Sequence, residues 1–136
     1  MGPKCDPRQQ CSHSALPARA GRFVRRISRW RRSHAIRINL VIYAECAPSF
    51  ASDDGLRLSL NALGIGIEDL TLPEGFRAGQ AYAEYKRRGG EKQTILPDFL
   101  IGAQAELRGW PLVTRDRKGF ASYFPDLQVI DPTEDL

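Results

Sequence analysis

Two stretches decide how this chain reads: Leu96-Pro97-Asp98-Phe99-Leu100-Ile101-Gly102-Ala103 and, past a glycine, Pro111-Leu112-Val113-Thr114-Arg115-Asp116. The first sets a carboxylate at the mouth of an apolar helix, with Gly109 to stop it. The second is a short apolar strand ending on another carboxylate. A third acid, Glu45, lies in the apolar segment Val41-Ile42-Tyr43-Ala44-Glu45. Acids at the ends of buried elements are costly unless something compensates them.

Working outward, strands and helices alternate. Ala35–Asn39 reads as a brief strand, and Leu40–Phe50 as a helix that Pro48 bends or shortens. Leu56, Leu58, Leu60 and Leu63 mark a leucine-rich helix ending near Gly64, and Ile65–Leu70 a strand. Pro73 opens a helix carrying Phe76, Gly79 and Ala83 with Tyr82 beside them, stopped by Gly89-Gly90. Asp98 or its neighbour serves as N-cap of the next helix, which runs to Arg108. Pro111–Thr114 is a strand, Phe120–Phe124 a helical turn and Leu127–Ile130 a last strand. This order predicts a parallel sheet covered by helices, in an α/β domain over residues 35–136.

Residues 1–34 differ in character. Residues 1–21 are rich in Pro, Gly, Ser, Gln and Arg, a composition that does not build a core. Phe23, Ile27 and Trp30 then follow at helical spacing among arginines, the pattern of a short basic amphipathic helix. Residues 1–37 hold ten basic side chains against Asp6, and residues 38–136 hold ten against fifteen acids. The net charge of +4 over 136 residues therefore conceals an acidic body behind a basic leader. That leader suits packing on the body, or contact with RNA or an anionic surface.

Composition excludes several classes. No long uncharged apolar run suggests a membrane span, and no apolar core follows the basic N-terminus as in a secretory signal. Cys5, Cys11 and Cys46 form no disulfide framework, which points to a reducing, cytoplasmic setting. With His13, the first two do not make a recognisable zinc motif. The histidines, His13 and His34, both fall in the leader, so the body has no histidine base. Gly64 and Gly66 lack the rest of a phosphate-binding loop.

What remains is the acids. In parallel α/β sheets, sites form outside the carboxyl ends of strands. Glu45, Asp98 and Asp116 are hard oxygen donors of the kind that hold Mg²⁺ or Mn²⁺, ions that polarise a phosphate and activate water. Thr114 would hydrogen-bond a substrate phosphate or orient Asp116. Each acid also has a plain structural use: Asp98 as a helix cap, Asp116 in a turn with Arg117 and Lys118, Glu45 as partner to an arginine.

The stretches Ile38–Glu45, Leu96–Ala103 and Pro111–Asp116, flanked by Tyr85–Gly90 and Ser122–Pro125, resemble the PIN-domain ribonucleases, and most of all the VapC-type toxins of bacterial toxin–antitoxin modules. The resemblance spans about residues 36–132. It implies a three-layer α/β/α sandwich on a central parallel sheet and Mg²⁺-dependent cleavage of RNA. Glu45, Asp98 and Asp116 would be the metal ligands. It also implies a small antitoxin partner and a homodimer. The family's opening strand, which ends in the first metal-binding aspartate, has no counterpart in residues 1–35; Asp6, between Cys5 and Pro7, does not match it. A shifted reading frame or misassigned start would produce such a segment. Two alternatives follow: a catalytically impaired PIN remnant that only binds an antitoxin or RNA, and a nucleic-acid-binding module acting through the arginine-rich leader.

Overall fold

A computed structural model describes residues 35–93 and 96–131. The leader, with Asp6, Cys5, Cys11 and both histidines, lies outside the described residues. The order is β1 (Ile36–Ile38), α1 (Leu40–Cys46), a 3-10 turn (Ala47–Ser49), α2 (Asp53–Ala62), β2 (Ile65–Ile67), α3 (Leu72–Arg87), α4 (Pro97–Arg108), β3 (Leu112–Val113), α5 (Arg117–Tyr123) and β4 (Val129–Ile130). The architecture is α/β with parallel strands joined through helices, as the alternation predicts. The strands are shorter than expected. Within the described residues they hydrogen-bond as two parallel pairs, β1 with β2 and β3 with β4. Ile36 faces Ile65, and Leu112 faces Val129. No described helix is long and apolar enough to cross a membrane.

Local chemistry explains the boundaries. Asn39 leaves β1 in extended backbone and caps α1, its Oδ1 accepting the Ile42 N–H at 3.0 Å. Pro48 ends regular α-helix and leaves the 3-10 turn, which is the expected bend. Ser52 caps α2 through the Gly55 N–H. Helix α2 buries Leu56 and Leu60 but exposes Leu58, because positions two apart point to opposite sides of a helix. Gly64 and Gly109 supply the left-handed backbone, φ 71° and 66°, beyond the ends of α2 and α4.

Helix α3 turns differently from its apolar pattern. Phe76 is exposed, while Glu74, Ala78 and Ala81 face inward. The rotation is set by Glu74. Its carboxylate closes a capping box with Thr71 and also accepts Arg108 Nε at 2.6 Å from α4. Arg108 further donates to the Asp69 carbonyl (2.6 Å) and to Glu68 (3.3 Å). Its guanidinium is held above its ordinary pKa, first by the Glu74 hydrogen bond. Beside this, Arg77 pairs with Glu106 at 2.7 Å. With Glu74 buried, removing Arg108 would leave a carboxylate without its partner, a cost of about 3–5 kcal/mol.

Helix α4 is the spine of the molecule. Phe99 and every residue from Ile101 to Ala105 are buried on it, as expected of a helix covered on several sides. Gln104, the polar member of that run, accepts Asn39 Nδ2–H at 3.0 Å and donates to the Glu68 and Asp69 carbonyls. Gly102 lies beneath the ring of Phe124, which is 1% exposed, and a Cβ there would overlap the ring carbons. Gly102→Ala is therefore expected to destabilise the protein by about 2 kcal/mol through overpacking. Gly79→Ala on α3 has open space and should stabilise by roughly 0.5–1 kcal/mol. Urea unfolding of the two variants checks both signs.

Candidate functional site

Three elements meet around a cavity of about 190 Å³ lined by Tyr85, Leu96, Asp98, Phe99, Asp116, Gly119, Phe120, Tyr123 and Phe124. Asp98 comes from the first turn of α4. It is not the N-cap, as the sequence suggested; that position is Leu96, whose side chain makes no capping bond. Pro97 takes the first helical position, and the acid takes the second. There it still offsets the positive end of the helix dipole, an effect of about 0.3–1 kcal/mol.

Asp116 follows β3 and caps α5, its Oδ1 accepting the Gly119 N–H at 3.0 Å. The lack of a Cβ on Gly119 leaves room for that carboxylate. The helix begins at Arg117, three residues before the expected turn, because this cap starts it. Thr114 is buried, and its Oγ1 accepts the Asp116 backbone N–H at 3.1 Å. Of the two roles open to Thr114, orienting Asp116 is the one with a contact in the structure.

Glu45 is placed otherwise. It sits on α1 one position before buried Cys46 and does not line the cavity. Its Oε1 is buried and has no hydrogen-bond partner among the described residues. No described arginine pairs with it. Among the described residues, no three His, Cys, Asp or Glu side chains are grouped to hold one metal ion. The fold thus brings Asp98 and Asp116 to one cavity and leaves Glu45 as a buried acceptor with an unmet demand.

The aromatic walls were missed by the sequence reading. Tyr85, Phe99 and Tyr123 stand edge to face, with ring centroids 5.3–6.3 Å apart. Tyr85 is further fixed by Lys92, whose backbone N–H it accepts at 3.3 Å. Arg88 lies over the Tyr123 ring at 4.7 Å and donates to Ser122 Oγ at 2.7 Å. The available signal was the spacing Tyr82–Tyr85, one helical turn, and the Tyr123-Phe124 pair at the end of α5.

No protein-family model and no curated protein match the chain. Among solved structures it is similar to a chain of the crystal structure of VapBC2 from Rickettsia felis bound to a DNA fragment from their promoter. The TM-score is 0.62 at 17% sequence identity, over 93% of this chain and 96% of that one. Likeness at that identity is a likeness of fold.

Two outcomes follow from the geometry. Asp116→Ala removes a cap and should cost about 1 kcal/mol, whereas Asp116→Asn keeps a capping oxygen and should stay within roughly 0.5 kcal/mol of the parent; thermal unfolding separates them. Glu45→Met replaces a carboxylate whose buried oxygen is unsatisfied, so without added metal it should raise the melting temperature, by an amount equivalent to about 1 kcal/mol.

Proposed function

We propose that this chain is a PIN-type, VapC-like toxin: an endoribonuclease that hydrolyses phosphodiester bonds in single-stranded or loop RNA. The observation that carries this reading is the convergence of Asp98 and Asp116 on one cavity at the ends of a buried helix and a parallel strand. The shared fold with a chain of the VapBC2 structure supports it. So does the order of the three motifs around Glu45, Asp98 and Asp116.

The residues suit a hard divalent ion, Mg²⁺ or Mn²⁺. All three candidates are carboxylates, and the orphaned Glu45 oxygen is an acceptor of the kind a cation would satisfy. Asp98 and Asp116 would hold the ion from the cavity; Glu45, which does not line it, is the third candidate donor that the family resemblance offers. When bound, such an ion would lower the pKa of water and stabilise charge on the phosphate. The chain's own part is orientation. Thr114 holds the backbone of Asp116, and Gly119 holds its carboxylate, so this acid meets substrate in one pose. Buried Phe99 sets the direction of the turn that carries Asp98.

The partner in this reading is a small antitoxin-type protein that covers the cavity and its two acids, and the active species is a homodimer in the cytoplasm. A second reading has one observation in its favour: the three acids are not gathered among the described residues. In it the chain keeps the fold and binds an antitoxin or RNA without cutting.

The test is cleavage of single-stranded RNA by purified full-length protein with Mg²⁺ or EDTA. Cleavage should require the metal and fall by about a hundredfold or more in Asp98→Asn and Asp116→Asn. Thr114→Val, one step removed, should cost about tenfold. Mg²⁺ should also raise the melting temperature of the parent and much less that of Glu45→Gln. A metal shift without cleavage would favour the second reading.

A further inference from the structure

The cavity beside Asp98 and Asp116 has walls that the carboxylates do not require. Five of its lining residues are aromatic: Tyr85, Phe99, Phe120, Tyr123 and Phe124. Phe99, Phe120 and Phe124 are buried and form its floor, whereas Tyr85 and Tyr123 are partly exposed. We propose that this cavity is a nucleobase pocket that receives an unpaired base of single-stranded RNA. The inference rests on the ribonuclease reading above and deepens it by assigning where an unpaired base of that RNA would sit.

Three features argue for a base. First, the rings are already ordered. Phe99 meets Tyr123 at 5.3 Å and 72°, and Tyr85 meets Phe99 at 5.8 Å and 64°. A ligand entering here does not have to organise its own binding site. Second, a planar guanidinium lies beside it. Arg88 pairs with Glu84 at 2.9 Å, lies over the Tyr123 ring and is tethered to Ser122; a guanidinium on an aromatic face is a surface on which bases stack. Third, Arg115 and Lys118 are exposed on the turn that carries Asp116. They place positive charge where a phosphate chain must pass two carboxylates. An apolar pocket with acids at its edge and exposed Arg115 and Lys118 beside them matches a nucleotide better than it matches a purely apolar side chain. Paired bases are excluded, because a duplex keeps its rings stacked and out of reach.

The experiment uses full-length protein in EDTA and a short single-stranded oligoribonucleotide carrying one 2-aminopurine. Binding should quench its fluorescence, and an oligomer abasic at that position should bind about tenfold more weakly. The abasic strand keeps its phosphates, so attraction to the arginine-rich leader cancels from the comparison. The same sequence in a duplex should show no quenching. Tyr123→Leu should weaken binding of the intact strand about tenfold, and Tyr123→Phe should restore it, with circular dichroism verifying the fold of each. Equal affinity for intact and abasic strands overturns the pocket without any variant, as does equal binding of the duplex. The two readings fail separately. Metal-dependent cleavage that needs Asp98 but ignores removal of the base sinks the pocket alone. Base-dependent quenching with no cleavage keeps the pocket and sinks the nuclease.

Discussion

Glu74 is a carboxylate with 3% of its surface exposed, and it tolerates burial because Arg108 reaches it from the facing helix. That bond sets the rotation of α3, and through α3 the packing of α4. Arg108 and Asp98 stand at opposite ends of α4, ten residues or about 15 Å apart along the axis. One end of the helix is therefore clamped by charge, and the other presents an acid to the cavity. The packing of Gly102 against Phe124 lies between them and joins the clamp to the aromatic wall.

Much of this was legible in the chain. Local rules wrote several boundaries: Pro48 as a break, Pro73 as an opening, Gly64 and Gly109 as stops; the caps Asn39, Ser52 and Thr71 went unread, although each is a residue type that caps helices. Asp98 and Asp116 were legible as acids at the ends of apolar elements, and they do share a cavity. The face of α3 was not legible. Periodicity ranks phenylalanine above glutamate for burial, and it cannot see a partner that arrives from thirty-four residues away. The aromatic wall was hidden for the same reason. Tyr85, Phe99 and Tyr123 come from three helices, and no window of sequence contains them together. Glu45 was readable as an acid in an apolar segment, but its unsatisfied oxygen is a property of the packed molecule alone.

The candidate site also shows how a fold sets stability against chemistry. Asp116 serves the helix that it caps, so its presence costs the structure nothing. Glu45 is the opposite case, a buried acceptor that the described surroundings do not satisfy. The difference between these two carboxylates is more informative than their shared charge.

Asn39 carries a consequence of another kind. Its oxygen bonds three residues along the chain, to the Ile42 N–H, and its amide nitrogen bonds sixty-five residues away, to Gln104. Closing the short loop costs little entropy, while closing the long one waits for distant segments to meet. One small amide thus acts at both ends of the folding timetable: early as a punctuation mark for α1, late as a latch that seals α1 to the spine.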